Sequence, residues 1–404
     1  MHSSLFSKKR WLFVPVVFLA VLSLFISPSI TSAKDGGGGG GGGGSTGSYQ
    51  QTNLVSNGTQ APVTDPHLIN PWGLVSSTSG PWWISDNFSG LSTLYNGQGQ
   101  IASLVVTVPT PAGTAGTLST PTGIVFNTSS SFVVSQNGVS GASVFLFATA
   151  DGTISGWNPK VNGTNAIVGV NRANVGTGTV YRGLALANTS SGSFLYATNF
   201  HARTIEQFDG NFNLVRSFTD PAAVNCSSSG SSSSNVRNSS HGGGGGGGGG
   251  GGCFAPFGIQ VIGSQVFVTF VLQNESRTDH FGVAGNGSGF VDVFDTNGNL
   301  VHRLTSSSQL NAPWGLALAP ANFGTFSNDL LVGNFGDGHI NAFDPNTGNF
   351  VGQLATSNGP ISIDGLWAIK FGNGATAGTT NQLFFTAGPE DGHNGLFGSI
   401  QSLT

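Results

Sequence analysis

Residues 311–354 read NAPWGLALAPANFGTFSNDLLVGNFGDGHINAFDPNTGNFVGQL. Four short apolar runs, WGLALA, LLVGNF, HINAF and FVGQL, alternate there with loops rich in Asn, Asp, Gly and Pro. Apolar runs of this length between such loops read as strands, and four in succession read as an antiparallel meander. One meander cannot bury both of its faces, so it implies further copies packed against it.

The chain supplies them. Aligned on a Gly-Leu or Gly-Ile step, six starts appear: Trp72-Gly73-Leu74, Thr122-Gly123-Ile124, Arg182-Gly183-Leu184, Phe257-Gly258-Ile259, Trp314-Gly315-Leu316 and Asp364-Gly365-Leu366. Second strands follow as WWISDN, SFVVSQN, FLYATNF, QVFVTFV, LLVGNF and LFFTAG. Third strands follow as STLYNG, VFLFA, TIEQFD, FVDVFD, HINAFD and LFGSIQ. The expected fold is all-β, a six-bladed propeller of four-stranded antiparallel blades. A β-sandwich pair is the competing arrangement, and six copies of one motif argue against it. The sixth copy stops after its third strand, at Thr404. A ring avoids an open edge when one terminus completes the last blade, so residues 51–56 (QTNLVS) are expected to be its outer strand.

Composition removes some functions. Charged residues are only 7% of 404 and the formal net charge is −4. Such a chain lacks the clustered Lys and Arg that a nucleic-acid backbone requires. No Walker-type phosphate loop, G-x-S-x-G elbow or HExxH helix occurs.

The first residues read as an export signal. Lys8, Lys9 and Arg10 precede an apolar run from Trp11 to Ile26, and Ser32-Ala33 fits a small-residue cleavage site. A retained signal anchor is the alternative; the run is short for a bilayer span. The expected organisation is a signal peptide over 1–33, a Gly-rich linker over 34–48 and the propeller over 49–404. The destination is extracellular, such as a cell wall or apoplast-like space, with no membrane association after cleavage. Nine N-x-[ST] sequons agree with export: Asn57, Asn87, Asn127, Asn162, Asn188, Asn225, Asn238, Asn274 and Asn286. The two cysteines, Cys226 and Cys253, bound a Ser/Gly-rich insert over 226–253. In an oxidising compartment they are expected to form a disulfide worth about 3–4 kcal/mol. Two free thiols are the alternative.

The paired motifs DPHLINPWGL, residues 65–74, and GPWWISDNFSGLSTLY, residues 80–95, resemble an uncharacterised family of secreted NHL-like β-propellers, as does the ending LFFTAGPEDGHNGLFGSI at 383–400. The resemblance runs from Tyr49 to Thr404. It implies fold and export and carries no activity; the Cys-bounded Gly insert departs from it.

In a four-stranded blade, the link into strand one and the loop between strands two and three share one face, here called the top. Candidate polar residues on it are Asp65, His67, Asp86, Asn87, Asn199, His201, Asp279, His280, Asp337, His339, Glu390, Asp391 and His393. Imidazoles and carboxylates converging from several blades would hold zinc or calcium, and with it a metal-dependent hydrolase or lyase. The bland reading is that these residues cap their own turns. A second constellation is the residue before each Gly-Leu step. Trp72, Arg182, Trp314 and Asp364 would ring the channel mouth, with Arg182 facing Asp364. Aromatic faces beside charge suit a sugar or a cation, and the alternative is that the tryptophans pack between blades. The function so read is an extracellular module binding a glycan or protein at the top of the channel. A structural wall component is a third reading, with the Gly tracts as its only hint.

Overall fold

The computed structural model describes residues 48–111, 116–173, 178–224, 253–273, 284–285 and 287–403. Six four-stranded antiparallel blades form a six-bladed β-propeller, the sixth carrying a short fifth strand, Val63–Thr64, paired in parallel with Tyr49–Ser56. Blade 1 is Pro71–Ser76, Trp82–Asp86, Leu91–Tyr95 and Val106–Thr107. Blade 3 is Tyr181–Thr189, Gly192–Asn199, Thr204–Phe208 and Leu214–Phe218. Blade 4 is Cys253–Ile262, Gln265–Gln273, Gly289–Asp295 and Leu300–Thr305. Blade 5 is Pro313–Leu318, Leu330–Asn334, Ile340–Phe343 and Phe350–Gln353, the four runs of the opening stretch.

Blade 2 departs from expectation. SFVVSQN is not its second strand. Val133–Gln136 instead pairs with Val139–Ala142 as a separate hairpin. Asn137 and Gly138 turn it with φ of +51° and +79°, and consecutive left-handed residues are what a two-residue hairpin loop requires. The blade is therefore built from Pro121–Phe126, Phe145–Thr149, Thr153–Trp157 and Ile167–Asn171, with its last three strands one run later than the alignment placed them.

Blade 6 closes as expected. Leu366–Phe371, Gln382–Ala387 and Leu396–Ser402 are completed by Tyr49–Ser56. The register pairs Tyr49 with Ser402 and Gln51 with Ile400, with a bulge between Asn53 and Val55. Tyr49 anchors the start of the closing strand. Its ring lies 5.0 Å from Phe323 and 5.8 Å from Phe326. Its hydroxyl donates to the Phe323 carbonyl at 2.9 Å and accepts the Phe326 N–H at 3.2 Å.

The core lies between blades, because successive side chains on a strand point to opposite faces. Trp82 packs on Phe384 of blade 6 at 5.0 Å, while its neighbour Trp83 packs on Phe145 of blade 2 at 4.1 Å. Each such buried aromatic contributes about 2–3 kcal/mol.

The glycine of each Gly-Leu step answers to spacing around the channel. A Cβ on Gly315 would meet the Trp367 carbonyl of the next blade at 2.7 Å, and one on Gly258 would run into the Trp314 carbonyl. A threonine on strand two then ties neighbouring blades together. Thr198 Oγ1 accepts the Gly183 N–H at 2.7 Å and donates to the Phe257 carbonyl of blade 4 at 2.7 Å. Thr386 Oγ1 accepts the Ala368 N–H at 3.1 Å and donates to the Trp72 carbonyl of blade 1 at 2.6 Å, across the ring closure. Both partners are buried, so losing either hydroxyl leaves unpaired backbone groups.

Candidate functional site

The residues before the Gly-Leu steps meet in the channel. Trp72, Thr122, Arg182, Phe257 and Trp314 are all buried. The guanidinium of Arg182 lies 5.3 Å from the Trp72 ring and 5.4 Å from Phe200. Trp72 and Trp314 meet edge to face at 6.2 Å.

The sixth member is Trp367, not Asp364. Gly365, on which blade 6 was aligned, has φ of +65° and belongs to a turn. The equivalent step is Trp367-Ala368-Ile369, with alanine in the glycine position. Trp367 stacks on Trp72 at 3.5 Å and on Phe335 at 4.3 Å, and its Nε1 donates to Asn70 Oδ1 at 3.1 Å. Asp364 stands exposed in the link before blade 6, where its carboxylate accepts the Glu390 N–H at 3.0 Å. The top half of the channel is thus filled by aromatic rings around a guanidinium, held by dispersion and cation–π attraction. Trp72 and Trp314 bury one another and offer no open platform to a sugar.

The top-face histidines and acids do not converge. His67 Nδ1 lies 3.0 Å from Asp65 Oδ1, and its side chain is half exposed. Asp65 also accepts the Tyr95 hydroxyl at 2.9 Å. Asp86 is fully buried; its Oδ2 accepts the Thr93 N–H at 3.0 Å, and burial holds its pKa well above the usual carboxylate range. Asn87 donates to the Pro121 carbonyl, and Asn199 accepts the Ala202 N–H. Asp337 caps the His339 N–H at 3.0 Å, and His393 Nδ1 sits on the Glu390 carbonyl at 2.9 Å. Glu390 and Asp391 are exposed in a turn with φ of +56° and +55°, and His201 is half-buried in blade 3. Asp279 and His280 lie outside the described residues. Among the described residues no three His, Cys, Asp or Glu side chains form a metal-binding group. The reason is local: most of these side chains satisfy backbone groups of their own turn and are turned away from a common centre.

Two of the sequon asparagines are structural. Asn87 and Asn127 are buried with their amides engaged, so neither has room for a glycan. Asn57 and Asn162 are half-buried and Asn188 is exposed. Asn225, Asn238, Asn274 and Asn286 lie outside the described residues, as do Cys226 and residues 1–47.

Below the aromatic plug the channel opens into a chamber of about 280 Å³. It is bounded by the strand-one segments that follow the plug residues, so it lies on the side where strands one and two turn. Backbone and apolar side chains make most of its wall, with Ser76, Phe126, Leu186, Gln260 and Lys370 keeping partial exposure to it. Among the described residues Lys370 is the only charged one of that lining. Desolvation lowers its pKa from 10.5 to about 8, and no neighbouring acid offsets it. Trp314 also lines the chamber, and its buried Nε1–H has no acceptor among the described residues.

The lowered lysine has a consequence for stability. Between pH 8 and 10.5 the unfolded chain holds the proton that the folded chain has released, so folding stability rises with pH across that window. Below pH 8 the buried charge costs about 3 kcal/mol, at roughly 1.4 kcal/mol per pH unit. Lys370→Met is expected to raise the urea midpoint at pH 7, and its advantage should shrink towards pH 10.5. Parallel pH profiles for the two proteins would refute this account.

Sequence reasoning missed Lys370 because it lies in an apolar strand, LWAIKF, whose pattern reads as core. It missed Trp367 because an alanine breaks the Gly-Leu register.

No family model matches the chain. Solved structures with similar folds include virginiamycin B lyase from Staphylococcus aureus, at TM-score 0.46 and 13% identity, over 87% of this chain and 98% of that one. A putative gluconolactonase aligns at TM-score 0.41 and 13% identity, over 70% and 88%. Sequence relatives are nearer. An uncharacterised protein of Acanthamoeba polyphaga mimivirus is 32% identical over 360 residues, covering 86% of this chain and 78% of the relative. A second uncharacterised protein of the same virus is 30% identical over 358 residues, covering 86% and 84%. At that identity, over most of both chains, the protein belongs to the family of these uncharacterised mimivirus proteins.

Proposed function

We propose that this protein is a ligand-binding β-propeller whose site is the chamber in the lower half of its central channel. The observation that carries the reading is the chamber itself, closed at one end by the aromatic plug and open at the other. Its volume is just below the usual range of small-molecule pockets, and its wall mixes exposed backbone with apolar side chains and a few polar ones. The reading replaces a ligand stacked on Trp72 and Trp314 at the top, because those rings are buried. It also replaces a top-face metal hydrolase, whose histidines stay with their own turns.

The protein is further proposed to be exported. The basic and apolar run at its start, the sequon asparagines outside the core at Asn57, Asn162 and Asn188, and a Cys253 that is not a free thiol support this. In that compartment Cys253 would bridge to Cys226 across the Gly-rich insert.

Filling the chamber tests the reading. Protein purified by native methods is expected to stabilise on addition of small organic ligands in a thermal-shift panel. Ser76→Trp, which places a large ring at the chamber, should abolish those shifts while leaving the unliganded midpoint within a few degrees. Ligand shifts that persist in Ser76→Trp would place binding elsewhere.

A further inference from the structure

The chamber has an unusual inventory of polar groups. Two of its lining residues carry donors for which the described residues supply no acceptor. The first is the Lys370 ammonium, the one charged group of the lining, whose environment contributes burial and no counter-charge. The second is the Trp314 indole N–H, on a residue 8% exposed and without a hydrogen-bond partner. Among the described residues no Asp or Glu belongs to the lining. A buried N–H without an acceptor and a desolvated ammonium without a counter-charge are both destabilising. A structural lysine at this position would be expected beside a carboxylate, as Arg172 is beside Glu206 at 3.0 Å and Arg303 beside Asp292 at 2.9 Å.

We propose that the chamber takes a small carboxylate, its oxygens accepting from the Lys370 ammonium and the Trp314 N–H and its apolar body packing against Leu186 and Phe126. The inference rests on the chamber being the ligand site. It adds the charge and chemical class of what enters. An anion supplies the acceptor that both groups lack, and in a confined channel a charge-assisted hydrogen bond is about twice as strong as a neutral one. A cation would meet Lys370 with repulsion. A neutral ligand of the same shape would leave the ammonium desolvated and unpaired. Gln260, the other amide of the lining, provides a donor for a second polar group on the ligand.

The probes are benzoate and benzamide, which share a ring and differ in charge. The proteins are the wild type, Lys370→Met, Lys370→Arg and Trp314→Phe, each as the full chain. Calorimetric titration at pH 7 is expected to give wild-type affinity for benzoate at least tenfold above that for benzamide. Lys370→Met should erase that preference, Lys370→Arg should retain part of it, and Trp314→Phe should weaken benzoate several-fold. Lys370→Met removes a buried charge, so loss of folding is not its expected failure. Bound benzoate should also slow acetylation of Lys370, read by mass spectrometry after proteolysis. Equal binding of benzoate and benzamide, both blocked by Ser76→Trp, would overturn the carboxylate inference and leave the chamber standing. Binding of neither probe, with no protection of Lys370, would overturn both.

Discussion

A chain lacking residues 48–56 will not reach the native state. Those residues include the outer strand of blade 6, and their removal exposes Leu396–Ser402 as an unpaired edge. The segment also buries Tyr49 and Val55 completely. Large-to-small changes at one such core position cost about 2–5 kcal/mol. Losing both, a whole hydrogen-bonded ladder and the Tyr49 hydroxyl contacts to Phe323 and Phe326 approaches the total stability of a domain, about 5–15 kcal/mol. We expect protein starting at residue 57 to be insoluble, or to lose its cooperative thermal transition. A peptide spanning residues 48–57, added during refolding, should restore part of that transition by re-forming the edge. A truncated protein with an unchanged denaturation midpoint would mean that the ring does not depend on this closure.

Trp367→Ala should destabilise the protein by about 3–5 kcal/mol, the usual cost of emptying a buried tryptophan site. Trp367 is fully buried, stacks on Trp72 and Phe335, and meets Phe257 at 5.9 Å and Trp314 at 5.9 Å. Its loss leaves a cavity at the centre of the plug and removes the donor to the buried Asn70. Trp367→Phe keeps an aromatic ring in the plug and loses that hydrogen bond with part of the indole's contact area, so it should cost less, about 1–3 kcal/mol. Urea titrations with m-values compared across the three proteins measure both. A Trp367→Ala effect below about 1 kcal/mol would show that the rings pack loosely and that the plug is not structural. The substitution also opens the chamber towards the top face, so it should weaken ligand retention in the same protein.

The two predictions differ in how visible their residues were. The closing strand could be read from residues 51–56, because a copy with three strands at one end of a repeat requires a fourth from elsewhere. The order of the blades, the strand-one step and the position of the channel followed from the same repetition. Blade 2 was misread even though its Asn137-Gly138 turn was a local hairpin signal; the repeat alignment overrode it. Trp367 was hidden by the same habit. Aligning on Gly365-Leu366 preserved a letter pattern, whereas the equivalent strand-one position of blade 6 is Ala368, whose methyl group is buried there.

The polar residues of the top face show why a list of candidates is not a site. His67, His339 and His393 lie in loops and Asp86 ends a strand, and the direction of each side chain depends on which turn backbone lies within reach. Several of them spend their hydrogen-bonding capacity within a few residues of themselves. Lys370 is the converse case. Nothing within LWAIKF distinguishes it, and its meaning comes from five other blades that surround it with backbone and apolar side chains and, among the described residues, no carboxylate.

Periodicity alone therefore settled the class of fold, the number of blades and the manner of closure, since each is a consequence of local strand and turn chemistry repeated at similar spacing. Which aromatic completes the plug, which end of the channel stays open and which charge stands in it were settled only by the ring. Those properties depend on contacts between residues as far apart as Asn70 and Trp367, and desolvation of a lysine is a property of everything packed around it.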